Sequence, residues 1–289
     1  MKEDHGEVQK LARQFGYDTD WTSPDPLARQ AGASMDIMRF HGFDIPVDLV
    51  VKTGGGPDTF ELISEQHIRN VSSQHPLTEG LDVLEIGCGI GRDAIPLIDL
   101  LGPTGSYVGT DVIRESIDWC QQNISAQHPN FTFEWHDIID SLHNPSGSLR
   151  SDAVRLPAED GSIDLFFAQS VFTHMLPDQF SHFLGEAARV LKPGGTVYAT
   201  CFRFDDDILA TARRTNLTQF DLRFDHEYSP GCLVNELDHL TGAVAFSYEL
   251  LRSFVEAAGL QFRGPVRLGA WSGHFPVPFD GQDVLVLGR

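Results

Sequence analysis

The glycine-rich turn at residues 87–91 is the feature that most constrains how this chain folds. It follows a short apolar run at 83–86 and precedes a segment whose apolar residues recur at helical spacing. Glycines in such a turn let the backbone bend tightly and approach a ligand without a Cβ atom in the way. A strand, a glycine turn and a helix in this order predict a ligand site at the carboxyl end of a parallel strand.

Strand and helix patterns alternate from residue 81 onwards. Apolar or alternating runs predict strands at 83–86, 106–110, 131–135, 163–168, 197–202, 260–266 and 284–287, and helical periodicity occupies several of the intervals. Such alternation predicts an α/β fold with a doubly wound, Rossmann-like sheet, mostly parallel and covered by helices on both faces.

The domain organisation follows from where this alternation begins and where it is interrupted. Residues 1–80 are predicted to be a helical lead-in or lid, with helices near 7–15 and 59–71 and a plain connector at 53–57. Residues 81–289 are predicted to form one domain. An insertion at 204–246 interrupts it and is expected to cover the substrate site.

Two carboxylates follow the predicted second and third strands. Asp111 lies 20 residues after Gly91, where a carboxylate can accept both ribose hydroxyls of an adenosine. Asp137 follows the third strand and is placed to accept a hydrogen bond from an adenine amino group. Both a dinucleotide and S-adenosylmethionine (SAM) contain adenosine, and the G-x-G-x-G spacing by itself leaves both open.

Charge and cysteine content narrow the classes of partner. The 289 residues carry a net charge of −20, which repels nucleic-acid phosphates and anionic lipid headgroups. The four cysteines form no C-x-x-C pair, so neither a metal site nor a redox motif is expected. The first residues carry no apolar leader and no run is long enough to span a bilayer, so a cytoplasmic protein without a membrane or nucleic-acid partner is predicted.

Four stretches in the same order resemble the class I SAM-dependent methyltransferases of small molecules. They are residues 83–92, residues 109–112, the segment from Leu156-Pro157 to His174, and R-V-L-K-P-G-G at 189–195. The resemblance covers residues 81–202 and implies SAM as the cofactor and a last strand, near 284–287, that runs antiparallel to the rest. The lead-in and the 204–246 insertion have no counterpart in it.

The resemblance also implies roles for individual residues. Three glycines would lie under the methionine part of SAM, with backbone contact from the intervening cysteine; Glu85 would orient that end and Gln169 would sit near it. The aspartate after the second strand would hold the ribose, and three further residues would border the adenine. The implied cofactor residues are Glu85, Gly87, Cys88, Gly89, Gly91, Asp111, Val112, Asp137, Ile138 and Gln169. About twenty residues separate Asp137 from Leu156-Pro157, and Asp152 is a rival for its role.

His174 is the candidate for a catalytic residue. It follows the fourth predicted strand, and a neutral imidazole there could take a proton from a hydroxyl or amine nucleophile, although it could equally pack locally. The favoured function is methyl transfer from SAM to a small molecule, O-methylation first. The alternatives are an NAD(P)-dependent oxidoreductase and a catalytically silent SAM-binding module.

Overall fold

A computed structural model describes residues 36–289 except positions 142, 216, 218 and 219. The helix predicted near residues 7–15 lies outside the described residues. Strands are β1 Ile37–Phe40, β2 Phe43–Pro46, β3 Asp82–Ile86, β4 Ser106–Asp111, β5 Phe131–Trp135, β6 Ile163–Ala168, β7 Leu191–Phe204, β8 His226–Ser229, β9 Cys232–Val234, β10 Val244–Ser247, β11 Gln261–Phe262 and β12 Asp283–Gly288. Helices are α1 Val47–Val50, α2 Pro57–Gln74, α3 Ala94–Leu101, α4 Arg114–Cys120, α5 Pro177–Val190, α6 Asp206–Thr215 and α7 Tyr248–Ala257.

The central sheet has the predicted doubly wound topology. Its strands lie in the order β5-β4-β3-β6-β7, all parallel, with β12 next to β7 and β11 outside it. The strand β12 runs antiparallel to β7, as the resemblance implied. Strand order reverses between β3 and β6, and ligands of open α/β sheets bind at such a reversal, outside the carboxyl ends of the strands.

Side chains alternate between two cores along the central strands, which places helices on both faces. Leu84 of β3 packs in the cluster that contains α5 and α7, and its neighbour Val83 packs in the cluster that contains α2, α3 and α4. On β6, Phe166 packs in the first of these clusters and Phe167 packs in the second. Because helices cover both faces of the sheet, the inner strand β6 is apolar on both sides, whereas β5 at the edge alternates between buried and exposed residues.

The described part of the lead-in, residues 36–80, packs in the cluster that contains α2, α3 and α4. Residues 37–74 form the hairpin β1–β2, the short helix α1 and the long helix α2, whose predicted range was 59–71. Phe40, Ile45 and Phe60 are buried with Ile117 and Leu97 from the helices of the sheet. The fold of the lead-in therefore depends on the same apolar burial as the sheet itself.

The predicted insertion begins and ends on neighbouring strands. The strand β7 extends past the end of β6, and its residues Phe202–Phe204 pair in parallel with Ala245–Ser247 of β10. Between them lie α6 and the antiparallel hairpin β8–β9, which joins the sheet through β10. A third apolar cluster joins side chains of this segment, among them Ile208 and Phe224, to Phe202 of β7 and to the buried Trp271.

Element boundaries differ from the predictions at three places. The strand expected at 260–266 is only Gln261–Phe262, because the chain turns at Gly264 and Pro265. The strand expected at 197–202 extends from Leu191 to Phe204, through Pro193-Gly194-Gly195. The apolar residues at helical spacing begin at Ile90, but the helix α3 itself begins at Ala94, since the glycine turn continues to that point. Within the described part of the chain, no helix is both long and apolar enough to cross a bilayer.

Candidate functional site

The glycine turn crosses the carboxyl end of β4 at close range. The N–H groups of Gly87 and Cys88 donate to the Thr110 carbonyl at 2.7 and 3.1 Å. Gly87 has φ +75°, and a Cβ there would lie 2.3 Å from Val171 Cγ2; Gly89 has φ +52°, and a Cβ there would lie 2.5 Å from Thr53 Cγ2. Neither position accepts a larger residue without movement, because both the conformation and the space exclude one.

Asp111 ties the glycine turn to the next helix. Its carboxylate accepts the Gly89 N–H at 2.7 Å on one oxygen and the Ile113 N–H at 2.8 Å on the other, just before α4. Burial raises the pKa of this carboxyl, and the two backbone hydrogen bonds oppose that shift. Each oxygen keeps a second lone pair, so the carboxylate can still accept hydrogen bonds from a diol.

Glu85 and two cysteines lie buried around the same turn. The Tyr107 hydroxyl donates to Glu85, and burial, reinforced by the charge of Asp93, raises the pKa of Glu85 well above its usual value. Cys88 Sγ and Cys120 Sγ both lie against the Gly89 carbonyl, at 3.8 and 3.7 Å. Burial also raises the pKa of both thiols, and both side chains belong to the apolar cluster that contains α2, α3 and α4.

The predicted adenine-side residues surround the carboxyl ends of β4 and β5. Val112 packs in the apolar cluster that contains the buried Ile138. Asp137 accepts hydrogen bonds from Ser148 and Asn144, at 2.6 and 3.1 Å, and these lower the pKa of its carboxyl. The structure thus places Val112 directly after β4 and Asp137 and Ile138 just after the neighbouring strand β5.

The rival aspartate occupies a different setting. Asp152 lies in a short 3₁₀ turn, Ser151–Ala153, and pairs with the Arg150 guanidinium at 2.7 Å. That turn is tied to α5 by a hydrogen bond from Gln179 to the Ser151 hydroxyl. Its carboxylate is therefore engaged on the surface, and its turn packs against α5 and not β4.

The turn after β6 faces the glycine turn. Gln169 is 8% exposed, and its amide oxygen has no hydrogen-bond partner within the described residues. Val171, two residues later, is the side chain that contacts Gly87. A buried acceptor of this kind costs free energy unless a ligand or another donor satisfies it.

His174 lies at the end of this turn, in the 3₁₀ helix Phe172–His174. Its Nδ1 atom is 2.9 Å from the Thr241 carbonyl, which can only accept, so Nδ1 carries the proton and Nε2 keeps its lone pair. Burial lowers the pKa of the imidazole, which favours the neutral form. The Thr241 hydroxyl in turn contacts the Ser141 hydroxyl at 2.9 Å, so the insertion meets the loop after β5 here.

The connector at 53–57 contacts the site, although its sequence indicates only a loop. Thr53 packs on Gly89, and Arg92 donates to the carbonyls of Thr53 and Gly54 at 3.0 and 3.2 Å. Lys52 also pairs with Glu115 at the start of α4. These contacts join residues at least 36 positions apart in the sequence, so no local pattern could have indicated them. In the described part of the chain, no group of three or more His, Cys, Asp or Glu residues is arranged to hold a metal ion.

The arrangement fits SAM, as judged from the residues themselves. Asp111 offers a carboxylate to a diol, and Gln169 offers an unpaired amide oxygen, next to a turn in which Gly87 and Gly89 both have positive φ. An apolar wall with a carboxylate at its edge, formed by Val112, Ile138 and Asp137, suits an adenine ring.

Comparisons with known proteins agree with this geometry. Residues 84–199 match the family model described as a methyltransferase domain. A phthiotriol/phenolphthiotriol dimycocerosates methyltransferase of Mycobacterium ulcerans is 32% identical over 165 residues, which are 57% of this chain and 52% of that protein. A fatty-acid O-methyltransferase of Mycolicibacterium smegmatis is 30% identical over 189 residues, 63% of this chain and 60% of that protein. The chain thus spans little more than half the length of these curated relatives.

A solved structure shares the fold. A possible exported protein of Bordetella parapertussis superposes with a TM-score of 0.50 at 14% identity, over 78% of this chain and 67% of that one. The matched family region begins in β3, includes the glycine turn and Asp111, and ends within β7. Residues 84–199 are therefore similar to a methyltransferase domain, and they lie within the doubly wound, Rossmann-like sheet described above.

Proposed function

We propose that this protein transfers a methyl group from SAM to a small-molecule acceptor, and that the acceptor atom is an oxygen. The observation that carries the proposal is the buried Asp111 carboxylate, which bonds to Gly89 of the glycine turn and has lone pairs left for a ribose diol. The fatty-acid O-methyltransferase among the relatives supports oxygen as the acceptor atom.

The cofactor would lie across the carboxyl ends of β3 and β4. Gly87, Gly89 and Gly91 would support the methionine part, with the Cys88 backbone and Glu85 beside it. The Gln169 amide oxygen would accept a hydrogen bond from the cofactor's ammonium group at the same end. Asp111 would hold the ribose.

We assign the adenine to Val112, Ile138 and Asp137 rather than to Asp152. The His136 N–H, next to Asp137, donates to the Asp111 carbonyl at 2.9 Å, so Asp137 belongs to the same edge of the sheet as the ribose-binding carboxylate. Asp152 is paired with Arg150 and its turn is tied to α5.

The chain's own contribution to chemistry would be placement and proton removal. SAM supplies an activated methyl group on a sulfonium whose leaving group is neutral, so positioning of the acceptor accounts for much of the rate. His174 would accept the acceptor's hydroxyl proton on Nε2, because Nδ1 is committed to the Thr241 carbonyl. The lowered pKa keeps Nε2 unprotonated near neutral pH.

The acceptor would enter beneath two covering segments. We propose that residues 1–80 act as a lid, since Thr53 and Gly54 contact the glycine turn and Arg92, and that the 204–246 insertion, whose Thr241 contacts His174, covers the acceptor side. The net charge of −20 favours a small molecule over a nucleic acid or an anionic membrane. The four unpaired cysteines suit a reducing, cytoplasmic compartment.

Calorimetric titration with S-adenosylhomocysteine tests the cofactor assignment, with NAD and NADP as controls. We expect micromolar affinity for S-adenosylhomocysteine that falls at least about tenfold in Asp111→Ala, because charge-assisted hydrogen bonds contribute about 1.5–3 kcal/mol. Asp99→Ala is the matched control, since it removes the same charge from the exposed face of α3 and should bind normally.

The same titration separates the other two functions. Preferential binding of NAD or NADP would replace the proposal with an oxidoreductase. Binding of S-adenosylhomocysteine without transfer to any of a broad panel of alcohols, carboxylic acids and phenols would favour the silent SAM-binding module.

A further inference from the structure

Ser170 adopts a backbone conformation that is costly for serine. It follows Gln169 directly after β6 and has φ +56°, in the left-handed region that favours glycine. A residue with a Cβ atom held there costs about 1–2 kcal/mol, so the surrounding structure must enforce it. Such enforced conformations cluster at binding and catalytic sites.

Three hydrogen bonds enforce the conformation. The Ser170 N–H donates to Thr200 Oγ1 at 2.7 Å, the Thr200 hydroxyl donates to Gln282 Oε1 at 2.6 Å, and Gln282 Nε2 donates to Ser170 Oγ at 2.8 Å. They form a closed ring between the turn, the middle of β7 and the residue before β12. Thr200 is fully buried, and its hydroxyl both donates and accepts within the ring.

The residues on either side of Ser170 are those that face the glycine turn. Gln169 presents an amide oxygen with no partner in the part of the chain that the structure describes, although the residue is more than nine-tenths buried. Val171 Cγ2 fills the space that a Cβ atom of Gly87 would need. A change in the backbone of Ser170 would therefore displace both Gln169 and Val171, the two residues that face the glycine turn.

We propose that Ser170, Thr200 and Gln282 are positioning residues, which we call the Ser170 clamp. The clamp holds the turn after β6 so that Gln169 and Val171 meet the cofactor at its methionine end. The clamp rests on the proposed function, because it assigns a role within the SAM cleft. Thr200 and Gln282 act through Ser170 and need not touch the cofactor themselves.

Substitutions in the clamp test the proposal through ligand affinity and local backbone opening. Gln282→Met removes two of the three hydrogen bonds at similar side-chain length, and Thr200→Val removes the acceptor for the Ser170 N–H at almost unchanged shape. We expect each to weaken S-adenosylhomocysteine binding about tenfold or more in calorimetry. The amides of residues 169–171 should also exchange with deuterium faster.

Cys201→Ala is the control for general destabilisation. Cys201 follows Thr200 on β7, is fully buried and packs in the core on the opposite face of the sheet. The truncation should lower the melting temperature yet leave S-adenosylhomocysteine affinity and amide exchange at residues 169–171 within twofold of the wild type.

A suppressor distinguishes positioning from ordinary stability. Glycine adopts φ +56° without penalty, so Ser170→Gly in the Gln282→Met background should restore at least half of the lost affinity on a logarithmic scale. Wild-type affinity in both Gln282→Met and Thr200→Val, with unchanged exchange at 169–171, would overturn the clamp; so would failure of Ser170→Gly to restore any affinity.

Failure of the proposed function gives a different pattern. If the wild-type protein binds no S-adenosylhomocysteine, the SAM assignment is lost. Amide exchange in Gln282→Met and Thr200→Val still decides whether the ring holds Ser170.

Discussion

Replacing Gly87 by alanine tests the closest approach in the site. A methyl group at this position would lie 2.3 Å from Val171 Cγ2, well inside the separation that carbon atoms tolerate, at a residue with φ +75°. The left-handed conformation costs about 1–2 kcal/mol for a residue with a Cβ atom. Forcing the methyl into a packed space costs about 1–3 kcal/mol more. We therefore expect Gly87→Ala to lower the free energy of unfolding by roughly 2–5 kcal/mol.

A double-mutant cycle separates the two contributions. Val171→Ala removes the methyl group that would clash but leaves the backbone conformation unchanged. In the Val171→Ala background, Gly87→Ala should therefore cost only the conformational part. The coupling free energy between the two positions should be about 1–3 kcal/mol, with the double variant more stable than the sum of single effects predicts.

Urea denaturation followed by circular dichroism measures all four proteins. Gly185→Ala is the control, because Gly185 lies on the exposed face of α5, where an added methyl group would meet no atom within 4 Å; it should stabilise by roughly 0.5–1 kcal/mol. A coupling below about 0.5 kcal/mol, which is the usual additivity error, would show that Val171 does not approach Gly87 as described.

Three further predictions concern proton binding and a helix end. An NMR titration of His174 should have a midpoint below pH 6.5, because burial lowers its pKa, and a midpoint above that value would argue against a neutral base at rest. Burial raises the pKa of Asp283 to about 6, so the folded protein holds this proton more tightly than the unfolded chain does. Its contribution to stability should fall by up to about 3 kcal/mol as pH rises from about 4 to about 6. Urea denaturation should show a smaller loss across that range in Asp283→Asn than in the wild type, because Asp111 and Glu85, whose pKa values burial also raises, titrate in both proteins. Ser247 caps α7 by accepting the Leu250 N–H at 3.2 Å. Ser247→Ala should therefore lower the free energy of unfolding by about 1 kcal/mol in the same assay. An unchanged free energy would show that this hydrogen bond does not stabilise the helix.

The central sheet could be predicted because its signals are local. Every strand from β3 to β6 is an uninterrupted apolar or alternating run, and the glycine turn and Asp111 sit directly at strand ends. Parallel strands place their carboxyl ends at one edge, so the order along the chain was enough to bring Gly87, Asp111 and Asp137 to one region.

Other parts of the site depend on contacts that no short pattern contains. Thr53 reaches Gly89 across 36 positions, and Gln282 reaches Ser170 across 112. The sequence does not distinguish a serine with a positive φ from any other serine. The left-handed conformation of Ser170 could therefore not be predicted. The strand predicted at 260–266 was too long for a different reason: the Gly264-Pro265 dipeptide inside it is a local turn signal, and the prediction followed the apolar residues instead.

The pairing of Phe202–Phe204 with Ala245–Ser247 has an evolutionary consequence. The segment between these strands leaves the sheet and returns to it at adjacent positions, so its length can change without moving β6, β7 or the glycine turn. Doubling such a loop costs only about 0.6 kcal/mol in closure entropy. Descendants of this chain could thus vary the length and the side chains of this segment while inheriting an unaltered glycine turn.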